Sequence, residues 1–571
     1  MGGAQGNADG SFPFPGRFVS SGGRFIVWNS FASNLVTGDT NNTWDIFLFD
    51  RDLRTTERVN VDSNGGQANG ITGVYGFSIS PDGRYVVFES AASNLVFGDT
   101  NGAREVFLRD RQTASTERVS LTSTGSQANG PSFYPTISDD GRFVAFTSLA
   151  NNMAPNDTNG SWDVFVRDRW ASTTQRVSLS SAGLQVVGDS YKGEISASGQ
   201  FVAFASTASG LVHGDTNGTW NVFLRDLAQG TTDLVDVSLL GGPGNGAAEY
   251  WGLSADGRFV LFRSDSSDLI PSDQNGASDL FVRDRWLGVT SIVDVTPSGL
   301  PAAQGCSYGT ISADGRYVEF LSNSPDLVAG DTNAAGDIFV RDLVSHSTER
   351  ETVRTDGSQV SLGGGGGSIS ADGSCVVFLS DATDIVSGDT NGHTDVFLRD
   401  RFYTHFTSLC EPGQGGVVDC PCANPPSGSG RGCDNSAGTG GAVLAASGSC
   451  HLATDSLCFT TGAELAHATS ILLQSTSTTP TGVAFGQGVR CTAGLMKRLF
   501  VKSAVNGSIT APDFAAGDST ISARSSAVGD VIHAGENRFY LVYYRDPVVL
   551  GGCWAGGTFN CTQTGQILWW P

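Results

Sequence analysis

One clause of sequence, an acidic loop running into a strand, recurs seven times and constrains this chain more than any other feature. It reads G-D-T-N-N-T-W-D-I-F-L-F-D at Gly38–Asp50 and returns beginning at Gly98, Asn156, Gly214, Ser272, Gly330 and Gly388. The leading aspartates Asp39, Asp99, Asp157, Asp215, Asp273, Asp331 and Asp389 are spaced by 60 residues once and 58 thereafter. Repeats of this length, each one supersecondary unit, build a stacked or circular array.

Each unit reads as four short strands parted by turn chemistry. Around Asp157 these are Ser132–Ser138, then the Asp140-Gly141 turn, then Arg142–Ser148, Asp163–Arg167 and Thr174–Ser178. Asp-Gly tolerates the positive φ of a tight hairpin. Valine and phenylalanine fill the second and third strands, as buried sheet demands. Four antiparallel strands, seven times over, predict a seven-bladed β-propeller. The first unit carries its own inner strand at Gly16–Ser20, so the ring is expected to close by side-chain packing rather than by strand exchange.

The stretch I-S-A-D-G-R-Y-V-x-F at Ile311–Phe320, joined to D-I-F-V-R-D at Asp337–Asp342, resembles the TolB-like, WD-type propeller repeat over roughly residues 12–408. The resemblance implies a fold. Propellers of that family serve as binding platforms, as accessory domains of peptidases and as polysaccharide lyases, so it does not choose a function.

Beyond Thr404–Leu409, read as the last strand of the repeat, the chain enters a Gly/Pro/Ser-rich stretch, Glu411–Gly441. Alternating segments follow at Ser470–Gln474, Leu499–Lys502, Arg538–Tyr544 and Ile567–Trp570. The expected organisation is all-β: a propeller over 12–408, a Cys/Gly/Pro-rich linker over 409–441 and a disulfide-containing β-sandwich over 442–571. Trp569 and Trp570 are expected in its core or at an interface.

Nine of the eleven cysteines fall in the last 162 residues, which points to a disulfide-stapled module in an oxidising compartment, extracellular or periplasmic. Cys450/Cys458 and Cys553/Cys561 are candidate pairs; a zinc site on Cys420, Cys422 and Cys433 is the alternative. Cys306 and Cys375 read as lone buried thiols. The start Met1-Gly-Gly-Ala-Gln has neither the basic residues nor the apolar run of a secretion signal, so a chain beginning at its mature end is expected. No stretch approaches the ~20 apolar residues of a membrane span. A net charge of −23 disfavours nucleic acid as partner.

Every acidic loop has Asp first, Asn third and an acid or amide seventh. The sets are Asp39/Asn41/Asp45, Asp99/Asn101/Glu105, Asp157/Asn159/Asp163, Asp215/Asn217/Asn221, Asp273/Asn275/Asp279, Asp331/Asn333/Asp337 and Asp389/Asn391/Asp395. Calcium takes six to eight oxygens from loops of this kind, and magnesium suits them less. Structural calcium is therefore the expected cofactor, weakest around Asp215, where Asn221 replaces the second acid. Seven such ions would bring the charge from −23 to −9. The alternative is an Asx turn without metal, its seventh-position acid paired with an arginine such as Arg142 or Arg167.

Loops and inner-strand starts open on one face of a propeller. The starts are aromatic: Tyr75, Phe133, Tyr134, Tyr191, Tyr250, Trp251 and Tyr308, with Lys192, Glu194 and Glu249 between them, until Gly363–Gly367 interrupts the last unit. Tyr75, Tyr134, Tyr191, Tyr250, Trp251 and Tyr308 are the candidate ligand-binding residues, suited to sugar rings or an extended peptide. The alternative packs these rings between blades. Catalytic motifs are missing: there is no G-x-S-x-G, H-E-x-x-H or phosphate loop. His213 and His393 lie in loops on nearly opposite blades. Tyr191, Lys192 and Tyr250 are the nearest approach to a lyase centre. The leading expectation is a secreted, non-catalytic, calcium-stabilised propeller that binds a glycan or protein partner at its channel mouth. A carbohydrate-active lyase and a purely structural surface protein are the rivals.

Overall fold

The structure is a computed structural model describing residues 5–569 except 14–15, 272, 355–356, 402–406, 448–449, 451, 453–454, 534 and 551–556. It divides into two compact units, Met1–Arg401 and Phe402–Pro571.

The first unit consists of seven antiparallel sheets in chain order. Blade 3 shows the pattern: inner strand Ser132–Ile137, second Phe143–Ser148, third Asp163–Asp168 and outer Thr173–Arg176. Its core is a cross-strand pair of rings, Phe146 on Phe165 with centroids 6.0 Å apart. The same pairing recurs in every blade, as Trp28–Phe47, Phe88–Phe107, Phe204–Phe223, Phe262–Phe281, Phe320–Phe339 and Phe378–Phe397. Gly141, at φ 72°, is needed at the hairpin. A Cβ there would lie 2.3 Å from the Tyr85 ring of the preceding blade, so the turn doubles as a packing surface between blades.

Blades are joined by a repeated backbone bond. The N–H that opens each inner strand donates to the carbonyl just before the preceding blade's third strand, as Ser132 to Arg104, Ser190 to Trp162 and Ala248 to Trp220 (2.8–2.9 Å). Gly10 donates likewise to Thr394 at 2.9 Å, which closes the ring between blades 1 and 7. Arg51 adds a two-pronged bond to Asp400 at 2.7 and 3.0 Å. Closure thus uses main-chain and ionic bonds as well as the expected packing.

Blade 1 begins earlier than expected. Gly10–Ser11 pairs with the second strand Phe25–Ser30, and the expected strand Gly16–Ser20 contributes one bridge, Val19 to Ile26. Blade 7 has three described strands. The segment expected as its outer strand, Thr404–Leu409, lies partly outside the described residues, and Thr407–Ser408 pairs instead with Gly565–Gln566 of the second unit.

The second unit holds a six-stranded and a three-stranded sheet over one apolar core. Leu444 and Phe459 from the smaller sheet meet Leu472, Tyr540, Val542 and Ile567 from the larger. Trp569 is fully buried there, its indole N–H donating to the Tyr540 hydroxyl at 3.1 Å; Trp570 lies outside the described residues. The Gly/Pro-rich stretch belongs to this unit and is stapled by Cys410–Cys491 and Cys420–Cys433. That pairing replaces the zinc alternative, because Cys420 and Cys433 have no thiolate to give. Cys422 is disulfide-bonded too. Cys450 and Cys458 are free thiols: Cys450 is in the core, while Cys458 points at the Pro512 carbonyl at 3.4 Å. Cys561 is also free, and its candidate partner Cys553 lies outside the described residues.

Candidate functional site

In blades 1, 2, 3 and 6 the acidic loop contains a cation that the chain supplies itself. In blade 1 the guanidinium of Arg58, last residue of the outer strand, lies 3.1 Å from Asp39 and 3.4 Å from Asp45 with its side chain 7% exposed. Arg118 stands between Asp99 and Glu105 at 3.4 and 2.6 Å. Arg176 stands between Asp157 and Asp163 at 3.0 and 3.6 Å, and Arg350 between Asp331 and Asp337 at 3.4 and 3.7 Å.

The third-position asparagines, expected to offer oxygen to an ion, turn their amide nitrogens to the cage instead. Asn41 donates from Nδ2 to both Asp45 oxygens at 3.0 Å. Asn101 and Asn159 donate in the same way to Glu105 and Asp163. In blade 4 Asn217 donates to the Asn221 oxygen at 2.7 Å and to the Gly244 carbonyl at 3.0 Å. In blade 6 Asn333 donates to the Val360 carbonyl at 3.3 Å. The asparagine oxygen is occupied as well, because it accepts the backbone N–H two residues on, at 3.2 Å from Thr219 for Asn217 and 3.1 Å from Ala335 for Asn333. That bond is an Asx turn, and Asn41, Asn101, Asn159, Asn275 and Asn391 make it too. With this geometry the amide nitrogen is turned to the seventh-position acid in blades 1, 2 and 3, while in blade 4 Asn217 and Asn221 exchange bonds through both their amide groups.

Burial pushes the seventh-position acids upward, Glu105 to about 7. Asp45, Asp163 and Asp337 move in the same direction for the same reason. The arginines named from sequence are elsewhere. Arg142 pairs with Asp168 at 2.6 Å, and Arg167 donates to the carbonyls of Thr122 and Ser172. In blade 7 Asn391 donates to Asp395, and His393 lies 3.0 Å from Asp9 across the ring seam.

The channel mouth separates the six aromatic candidates. Tyr75 is 43% exposed, and Tyr134 and Tyr191 are half-buried. Tyr250, Trp251 and Tyr308 are 0%, 9% and 5% exposed, so they offer no stacking face. The cause is strand register. Tyr191 and Glu249 hold equivalent places opposite Ala205 and Arg263, while Tyr250 comes one residue later, opposite Phe262, and turns into the packing between blades; in blade 6 a bulge after Cys306 sets Tyr308 opposite Leu321. Tyr250 donates its hydroxyl to Glu194 at 2.5 Å. The inner strands of blades 3 and 4 bulge at this point, and Tyr134 and Lys192 occupy left-handed backbone there, at φ 52° and 56°. The Lys192 ammonium sits 4.6 Å from the Trp251 ring centroid.

What the exposed rings build was only half visible in sequence. Trp162 and Trp220, from the loop just before the third strand, insert between the inner-strand aromatics. The result is a continuous ribbon, Tyr75–Phe133–Trp162–Tyr191–Trp220, with successive centroids 5.0, 5.4, 5.6 and 5.7 Å apart. Trp44 holds the same loop position in blade 1, edge-on to the exposed Phe31. The S-W-D and T-W-N of the repeated clause were the signal available for these tryptophans.

Polar groups border the ribbon. Arg104 covers Tyr75 at 5.1 Å and pairs with Glu89 at 2.7 Å. Asp189 accepts from the Trp162 backbone N–H at 3.0 Å. Burial, with Asp189 nearby, pushes the Tyr191 phenol up to about 12, while burial lowers Lys192. The ribbon is one-sided. At the matching loop positions blades 5, 6 and 7 carry Ser278, Gly336 and Thr394, and at the matching inner positions Glu249, Ser307 and Gly365.

No family model and no curated protein matches the chain. Among solved structures it is similar to other β-propellers. An oligogalacturonate lyase in complex with manganese shares 12% identity over 69% of this chain and 90% of its own, at a TM-score of 0.44. The propeller domain of the Trilobed protease from Pyrococcus furiosus shares 12% over 69% and 93%, at 0.41. TolB from Acinetobacter baumannii shares 14% over 66% and 77%, at 0.32. The propeller architecture of this chain stands on its own strand order and blade-to-blade bonds.

Proposed function

We propose that this is a non-catalytic binding propeller of an oxidising, extracellular or periplasmic compartment, and that it takes a glycan chain along the aromatic ribbon. The observation that carries the reading is the unbroken run of five rings over blades 2 to 4, bordered by Arg104 and Asp189. Rings of this kind meet the apolar face of a sugar, and the bordering charges meet its hydroxyl rim. Three disulfide-bonded positions in the Gly/Pro-rich stretch, Cys420, Cys422 and Cys433, support the compartment.

The lyase reading draws less support. Tyr250 is buried on Glu194, the Tyr191 phenol is pushed up to about 12, and Lys192 is engaged on Trp251, so the three side chains make separate contacts. A glycan array probed with the native protein and with the Trp162→Ala/Trp220→Ala variant tests the proposal. Saccharide signal that the variant loses, while its circular dichroism is unchanged, is the expected result. Equal signal from both proteins, or signal from neither alongside capture of a protein partner, rejects it.

A further inference from the structure

Seven repeats make each blade a control for the others, and blade 5 departs from the rest in charge. Arg58, Arg118, Arg176 and Arg350 end their outer strands; two residues later stand the neutral Asn60, Ser120, Ser178 and Thr352. Asn60, Ser178 and Thr352 each donate to the loop acid of their own blade at 2.5 Å. In blades 4 and 5 both positions change together. Leu234 and Ile292 take the place of arginine, and Asp236 and Asp294 take the place of the neutral donor.

Both new aspartates are fully buried. Asp236 accepts the Val222 N–H at 2.8 Å and Asp294 the Leu280 N–H at 2.9 Å through Oδ1, and the Oδ2 of each has no hydrogen-bond partner. Blade 4 also exchanges its loop acid for Asn221, which donates to Asp215 at 3.0 Å, so two carboxylates remain. Blade 5 keeps all three. Asp273, Asp279 and Asp294 are 7%, 0% and 0% exposed, and among the described residues no lysine or arginine pairs with any of them. Asp294 interacts with Asp279 and with the buried Cys306 thiol.

Buried charge without a counter-charge is disfavoured, and a positive ion at this spot restores the balance that arginine provides elsewhere. We propose that blade 5 binds one calcium ion through Asp273, Asp279 and Asp294, in the place that arginine fills in blades 1, 2, 3 and 6. Oxygen donors in a short loop suit calcium. A half-turn of the Asn275 amide, which now donates to both Asp279 oxygens at 2.8 and 3.0 Å, would add a further oxygen in exchange for its Asx-turn bond. Among the described residues no three His, Cys, Asp or Glu side chains already stand as a metal's ligands do, so the ion must draw the carboxylates inward by side-chain rotation.

The test is calorimetric titration of calcium chloride into the chelator-stripped full-length protein, with melting curves in calcium and in chelator. Native protein should bind one calcium at this blade and melt higher with it. Ile292→Arg/Asp294→Ser, which copies Arg176 and Ser178 of blade 3, should remove that binding event and the difference between the two melts. Asp294→Asn alone should remove the binding event, and Asp163→Asn in blade 3 should leave it intact. No calcium heat and no melting shift in the native protein would overturn the proposal, leaving a shared proton as what settles the three acids. Binding that survives Asp294→Asn would also overturn it, as would zinc retained in place of calcium and lost in Cys306→Ser.

Discussion

Replacing Arg176 with methionine should cost the propeller more than any surface charge does. The guanidinium lies 3.0 Å from Asp157 and 3.6 Å from Asp163 with its side chain 4% exposed, and removing it leaves two buried acids facing one another. Breaking a buried pair in this way costs about 3–5 kcal/mol, because the remaining charge has lost its partner. At roughly 2.1 cal/mol/K per residue, the unfolding entropy of the 401-residue unit is about 0.8 kcal/mol/K. The melting temperature should therefore fall by about 4–6 °C in calorimetry at a fixed scan rate in chelator. Burial already raises both carboxyls, so protonation relieves the variant and its deficit should narrow toward acid pH. Adding Asp157→Asn should recover part of the loss. A shift below about 1 °C, or a deficit that widens in acid, would refute the cage as a source of stability.

Glu319, fully buried, accepts a bond from the Thr310 hydroxyl at 2.9 Å. Burial pushes its carboxyl from 4.5 to about 8. The native state then binds that proton more tightly than the unfolded chain, so stability should fall as pH rises from 4.5 toward 8. Chemical denaturation of Glu319→Gln across that range should show a flatter profile, and an unchanged slope would contradict the assignment. Reducing the disulfides should lower the melting of the second unit selectively. Loop-closure entropy for the 81-residue separation of Cys410 and Cys491 amounts to about 4.5 kcal/mol. Mass-mapped dithiothreitol titration with domain-resolved calorimetry checks this, and loss of the propeller transition instead would contradict it.

The blades were legible because period, Asp-Gly turns and Val/Phe strands all pointed to one architecture. Arg58, Arg118, Arg176 and Arg350 were not found, although they share a column with the acids, because pairing across a sheet is fixed by register rather than by nearness in sequence. Arg167, nearer in the chain, and Arg142, on the other side of the loop, look equally suitable until the strands are paired. Tyr250 and Tyr308 were misplaced for a related reason. One residue of offset turns a strand side chain to the opposite face, and Glu249, not Tyr250, is paired as Tyr191 is, while a bulge in the blade 6 strand displaces Tyr308. Trp162 and Trp220 were overlooked as members of the aromatic ribbon because they sit inside the clause read as an ion-binding loop. The cysteine pairing could not be read from spacing, since the 81-residue link of Cys410 to Cys491 joins segments that only the sheet brings together.

The most direct test of the glycan reading is a crystal structure of the protein with the longest oligosaccharide it retains on an array. Sugar rings lying against Phe133, Trp162, Tyr191 and Trp220, with hydroxyls at Asp189 or Arg104, are the predicted result. Saccharide density over blades 5 to 7 or on the second unit, with the ribbon bare, would contradict it.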